Sequence, residues 1–185
     1  MRLFTCLPFP VHVQGQIADY VHSLVPVFGR TQPSWVPKEN LHLTLHFFGE
    51  VEVQTAAKLQ VLLEEASGLC PELQLATGKL SALPSPRAPR VLYIAVDIQP
   101  AEAPAKLVGR MRAIAAQIGA ETETRPWKPH LTLARLKMPL MPELSSLPAP
   151  PSLSFSIDAF ELIRSRLNPS GAFYSTLKRY PLAGS

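Results

Sequence analysis

Cysteine is scarce in this chain, charge is sparse, and long apolar runs are missing altogether. The two cysteines, Cys6 and Cys70, have neither metal-ligand spacing nor the number for a disulfide framework, which points to a reducing cytoplasm. No apolar stretch reaches the ~20 residues that span a bilayer. The opening MRLFTCLPFPVHVQGQ is broken by Pro8, Pro10, His12 and Gln14 too early for a signal-peptide core, and reads as a first strand with Cys6 in its apolar part. There is no G-x-S-x-G elbow, so a serine hydrolase lacks its nucleophile. Neither a P-loop nor G-x-G-x-x-G occurs, which leaves nucleotide-triphosphate chemistry without support.

What is present suffices for a globular fold: 46% of residues are hydrophobic and 17% charged. The length of 185 residues suits one domain, or two small lobes sharing a core. A formal net charge of +4 favours polyanionic partners. Arg125, Lys128, Arg135 and Lys137 bracket one motif described below, and Arg164, Arg166, Lys178 and Arg179 lie near the C-terminus. Proline is abundant, at 20 residues placed mostly between elements, and excludes a long helical or coiled-coil architecture.

Hydrophobic periodicity divides the chain into two similar halves. The first opens with the strand RLFTCL (2–7), then a helix over roughly 10–28 with Ile17, Tyr20, Val21, Leu24 and Val25 at helical spacing. A Pro33–Pro37 loop leads to the strand LHLTLHFFG (41–49), a second helix over about 53–67, and a hairpin of LQLATGKLSAL (73–83) and RVLYIAVD (90–97). The last of these strands also opens the second half. A helix over about 103–118 follows, ended by Gly119, then the loop RPWKP and the strand PHLTLARL (129–136). After a Pro-rich connection (138–151), SFSIDAFELIRSRL (154–167), the turn NPSG and AFYSTLKRYPL (172–182) form a closing hairpin.

The halves carry the same tetrapeptide, HLTL, starting at His42 and His130. His42 follows Phe4 by 38 residues and His130 follows Tyr93 by 37, so the repeat sits in matching strand–helix–loop–strand frames. The expectation is an α+β fold of two pseudo-symmetric lobes within one domain (1–185). Each lobe is a mostly antiparallel sheet with helices on its outer face, and the active-site groove lies between them.

Strand alternation puts the leucines of each motif on one face, and His42 with Thr44, and His130 with Thr132, on the other. A twofold arrangement would bring two imidazoles and two hydroxyls together. Imidazole titrates near neutral pH, so one ring can accept a proton while the other donates one, and hydroxyls donate to phosphate oxygens. The set therefore suits phosphoryl transfer by paired general acid and base, and its own residues leave open which histidine is which. It calls for no cofactor and no metal. His42 and His46, four residues apart on a strand, would stand about 13 Å from one another on a shared face, too far for one ion. His46 is otherwise expected to be an exposed bystander. Trp35 and Phe47 are candidates for stacking on a base, against a role in packing. Trp127 is a candidate groove wall, and Tyr174 a residue at the edge of the core that could line the site.

The doubled HLTL resembles the signature of the two-histidine (2H) phosphoesterases, and within them the RNA 2',3'-cyclic phosphodiesterases, also called 2'-5' RNA ligases. RLFTCLPFP, ENLHLTLHFFGEV, SPRAPRVLYIAVD, RPWKPHLTLARL and FELIRSRLNPSGAFYSTLKRYPL resemble successive blocks of that family, covering nearly the whole chain. Cys6 departs from the small apolar residue usual at its position.

The resemblance implies that His42 protonates a leaving 3' oxygen and His130 activates water, giving a 2'-phosphomonoester. It implies that Thr44, Thr132 and Arg135 hold the phosphate. Arg135 has the wrong parity for the groove on a regular strand, and belongs there only if the strand ends or bulges. RNA with a 2',3'-cyclic phosphate end is the expected partner, for a cytoplasmic monomer. Reversible 2'-5' ligation, hydrolysis of small cyclic nucleotides and, in another class, a non-catalytic RNA-binding module are the alternatives.

Overall fold

The computed structural model describes residues 1–29, 33–123, 125–138, 141–168 and 171–183, with nothing described of the Leu167 side chain. The predicted elements form close to their expected bounds. Strand β1 (Arg2–Pro8) leads into helix α1 (Val11–Phe28), the short strand β2 (Ser34–Trp35) and strand β3 (His42–Glu50). Helix α2 (Val53–Ser67), strands β4 (Leu73–Leu83) and β5 (Val91–Gln99), helix α3 (Ala103–Gln117) and strand β6 (His130–Arg135) follow. Strands β7 (Ser154–Ile157), β8 (Ala159–Asn168) and β9 (Gly171–Pro181) complete the order. Residues 169 and 170 of the predicted NPSG turn lie outside the described residues.

Each helix buries one stripe: Val13, Ile17, Tyr20, Leu24 and Phe28 on α1, Ala56, Leu59 and Leu63 on α2, and Leu107, Met111 and Ile114 on α3. Such three- and four-residue spacing is what a helix lying on a sheet requires. Gly119, with φ of 69°, ends α3 in the left-handed conformation that side chains disfavour.

The strands make two antiparallel sheets, one ordered β3-β1-β8-β9 and the other β2-β6-β5-β4-β7. Helices α2 and α3 pack on each other and against the first sheet. Helix α1 reaches the second: Phe28 meets Trp35 of β2 edge-on at 5.3 Å, and the Tyr20 hydroxyl donates to Pro148 O at 2.7 Å. One continuous apolar cluster joins both sheets and all three helices, with Leu3, Leu43, Leu59, Leu92, Leu107, Leu131 and Leu133 fully shielded from solvent. Among the described residues no helix is long and apolar enough to cross a membrane.

Three features depart from the sequence expectation. The stretch 154–167 is not one strand: it breaks at Asp158, so that β7 pairs with β4 in one sheet and β8 with β1 and β9 in the other. Asp158 sits between the strands, where its carbonyl accepts from Leu182 N and its carboxylate holds Arg179 at 2.6 Å. The hairpin strand β4 follows the first half in the chain but lies in the second half's sheet, beside β5. The Pro33–Pro37 loop contains β2, whose Trp35 pairs with Ala134 of β6.

Candidate active site

Strands β3 and β6 hold the two motifs at facing edges of a groove of about 1130 Å³. Thr44, His130, Thr132 and Arg135 line it; the His42 ring, half-buried, lies next to Thr44 and against the rings of Phe4 at 5.2 Å and Tyr174 at 5.7 Å. The two rings are held in the same way. Nδ1 of His42 is 2.7 Å from Asn40 O, and Nδ1 of His130 is 2.7 Å from Lys128 O. A carbonyl can only accept, so in both neutral rings Nδ1 carries the hydrogen and Nε2 is left as the free base. Nε2 of His42 lies 3.1 Å from Thr44 Oγ1, which donates to it. His130 packs edge-on against Tyr93 at 5.5 Å.

Burial lowers the pKa of His42 from 6.5 to about 4, partly offset by the bond to Asn40, and the nearby His130 imidazole lowers it further. In the free protein His42 is therefore neutral at pH 7.

Both motif strands bulge at the same place. On β3, Thr44 pairs with Cys6 and His46 with Thr5, leaving Leu45 as the extra residue; on β6, Thr132 pairs with Tyr93 and Ala134 with Leu92, leaving Leu133. A bulge shifts side-chain parity by one. It turns Arg135 into the groove, as the family resemblance requires and regular alternation forbids. By the same shift Phe47 comes to the equivalent position on β3, exposed and lining the groove beside Phe4 at 5.4 Å. The ladders align Tyr93 with Cys6 of β1 rather than with Phe4, a two-residue correction to the spacing argument.

The same bulge overturns the reading of His46. It does not share an exposed face with His42: it is buried, its ring edge-on to Phe48 at 4.8 Å and its Nε2 donating to Glu121 O at 3.1 Å. Burial lowers its pKa first, with Arg112 adding to the effect. Gly49 lies beneath Glu121 too; a Cβ there would stand 2.7 Å from the Glu121 carboxyl carbon, and the φ of 69° also favours glycine.

Of the aromatic candidates, Trp127 is a groove wall, its indole N–H donating to Thr44 O at 2.9 Å and so tying the approach of one motif to the strand of the other. Trp35 packs on Phe28 outside the groove lining. Tyr174 touches the His42 and Phe4 rings; burial raises its phenol pKa while Arg135 and Arg2 pull it down.

Sequence reasoning missed Asn40, which supplies the carbonyl to His42 and fastens its own amide to Ala172 O at 3.2 Å. It also missed Arg2, Arg112 and Glu121 in the groove lining, since no local pattern links residues so distant in the chain. The repeated register of Tyr93 and Thr132 was the available signal for Tyr93.

Comparison with known proteins adds the following. The sequence model of the 2'-5' RNA ligase superfamily matches residues 9–169. A protein of Thermus thermophilus named RNA 2',3'-cyclic phosphodiesterase is 29% identical, over 100% of this chain and 91% of its own. The Escherichia coli protein of the same name is 29% identical, over 98% and 96%. A crystal structure from Thermus thermophilus superposes with a TM-score of 0.85 at 27% identity, covering 100% of this chain and 99% of that one. That of E. coli LigT complexed with 3'-AMP gives 0.80 at 27% identity, covering 98% and 97%.

Proposed function

Since the chain belongs to the 2'-5' RNA ligase superfamily, we propose that its groove hydrolyses 2',3'-cyclic phosphate ends of RNA to 2'-phosphomonoesters. The observation that carries this is the matched pair of imidazoles. Each is pinned through Nδ1 by the carbonyl two residues upstream, and each has a threonine of its own motif two residues on. Fixed tautomers leave both Nε2 atoms for proton transfer.

In this reading water attacks phosphorus, and His130 Nε2 takes its proton. The bond from phosphorus to the 3' oxygen breaks, and His42 delivers its Nε2 proton to that oxygen. The products are a 3' hydroxyl and a 2'-phosphate; His130 leaves protonated and His42 neutral, and exchange with solvent resets both. Thr44 and Thr132 donate to the phosphate oxygens, and Arg135 offsets the charge that builds on them. A cyclic phosphate carries a negative charge that lies beside His42 when bound, and this reverses the burial effect by favouring the imidazolium. Phe47, exposed across from Arg135, offers its face to the terminal base.

The test is a short RNA with a 2',3'-cyclic phosphate end, incubated in EDTA with the parent, His42→Ala and His130→Ala. The parent is expected to give the 2'-phosphate, and each variant to lose about 10²–10⁴ in rate, the usual worth of a positioned acid or base. Turnover preserved in either variant would displace the site; turnover abolished by EDTA would overturn the metal-free mechanism.

A further inference from the structure

The carbonyl that holds His130 belongs to a segment with little else to hold it. Arg125, Pro126 and Lys128 are exposed, and Pro126 and Pro129 have no N–H to give. Among the described residues no backbone–backbone hydrogen bond reaches Trp127 or Lys128. On one side Arg112 donates to Arg125 O, three residues before Lys128; on the other the chain is fixed again at Pro129 O, which accepts from Val96 N at 3.4 Å. Between these points the anchor is the Trp127 side chain. It is half-buried, packs against the shared apolar cluster, and donates through its indole N–H to Thr44 O at 2.9 Å.

The partner of that bond matters. Strands β3 and β6 lie in different sheets, and β3 is the edge of its own, so no ladder joins the two motif strands. Thr44 Oγ1 donates to His42 Nε2 at 3.1 Å, while His130 Nδ1 donates to Lys128 O at 2.7 Å. One indole therefore links the two half-sites, hydrogen-bonded to Thr44 on one side and covalently next to Lys128 on the other. Another bond from β3 to this segment, from His46 to Glu121 O, lies seven residues before Lys128.

We propose that Trp127 is a positioning residue for His130. Its bond to Thr44 sets where the Lys128 carbonyl stands, and so fixes the His130 tautomer and the place of that ring relative to His42 and Thr44. The proposal rests on the reading of the groove as a cyclic-phosphate site with His130 as base. An acid and a base must reach one phosphorus together, and a misplacement of about 1 Å can cost about 10²-fold in rate.

The experiment uses Trp127→Phe, which keeps an apolar ring against the core and removes the indole donor. On a short RNA with a 2',3'-cyclic phosphate end, kcat should fall about tenfold or more while KM stays within about twofold. In a His130→Ala background the same substitution should cost less than about twofold, because the ring it positions is gone. In long-range proton–nitrogen spectra of the ligand-free variant, neutral His130 should pass from the Nδ1–H tautomer to a mixture, with His42, held by Asn40, unchanged. In the parent, the Trp127 indole N–H should exchange with solvent far more slowly than that of Trp35, the other tryptophan, whose indole N–H has no hydrogen-bond partner among the described residues.

An unchanged His130 tautomer in the variant, the same loss of rate in both backgrounds, or a Trp127 N–H that exchanges as fast as that of Trp35 overturns the proposal. Should the parent open no cyclic phosphate, the reading of the groove fails, while tautomer and exchange still judge the tie by themselves.

Discussion

Asn40 and Lys128 each give a backbone carbonyl to the imidazole two residues on, and this local contact decides that Nε2 is the basic nitrogen of each neutral ring. A tautomer fixed by backbone needs no third side chain, so no carboxylate is required behind either ring. His42 then carries a conflict between its surroundings and its proposed role, since burial lowers its pKa to about 4 and yet an acid must hold a proton. The sign follows from which form burial disfavours. The imidazolium is the charged form, so the free protein keeps the ring neutral down to about pH 4, and an anion beside it raises the pKa again. In proton–nitrogen correlation spectra, the His42 ring should titrate near pH 4 in the free protein and move upward by a unit or more on saturation with inorganic phosphate. A titration that phosphate leaves in place would remove His42 from the role of acid.

At the scale of the strand, one extra residue in each motif matters more than any single side chain. The bulges at Leu45 and Leu133 turn His46 and Ala134 into the core, and Phe47 and Arg135 to the groove. The outcome is an asymmetric pair on symmetric strands, with a guanidinium on one side of the groove and a ring on the other. Arg135→Ala should lower kcat/KM on a cyclic-phosphate RNA by about 10²–10³, as expected for the loss of one preorganised donor to a developing negative charge. Arg135→Lys should restore only part of it, because lysine lacks the two-pronged geometry. Circular dichroism and Tm should stay near the parent's, since Arg135 is exposed. An alanine variant with full activity would show that the bulge merely carries an idle surface cation.

At the scale of the molecule, the halves are woven rather than set side by side. Strand β4 follows the first motif but lies beside β5, and the closing hairpin of β8 and β9 follows the second motif but lies beside β1. Each motif's sheet is thus completed by residues from the other half, and the apolar cluster runs through both. Urea unfolding followed by tryptophan fluorescence and by far-UV circular dichroism should give coincident single transitions. A chain ending at residue 158 leaves β1 without its second neighbour, strips cover from Leu3 and Phe4, and should show no cooperative transition. Separate transitions in the parent, or a cooperatively folding truncation, would mean that the halves are independent.

Much was legible along the chain because periodicity and a repeated tetrapeptide are local signals. Helix stripes at three- and four-residue spacing, the alternation of His and Thr against leucine, and the matching frames of the two motifs sufficed for element order, an α+β class and the histidine pair. Tertiary structure alone decided the rest. A bulge exists only against a partner strand, so the burial of His46 and the entry of Arg135 into the groove could not be read from either strand by itself. The break at Asp158 and the placing of β4 are choices between sheets, made by which apolar face finds cover, with Phe155 against Phe9 at 4.9 Å on one side of the break and Phe160 stacked on Tyr180 at 4.9 Å on the other. Arg2 and Arg164 are 162 positions apart in sequence and share a hollow only because β1 and β8 pair. Sequence specifies what each segment prefers locally; pairing across the core decides which side chains meet.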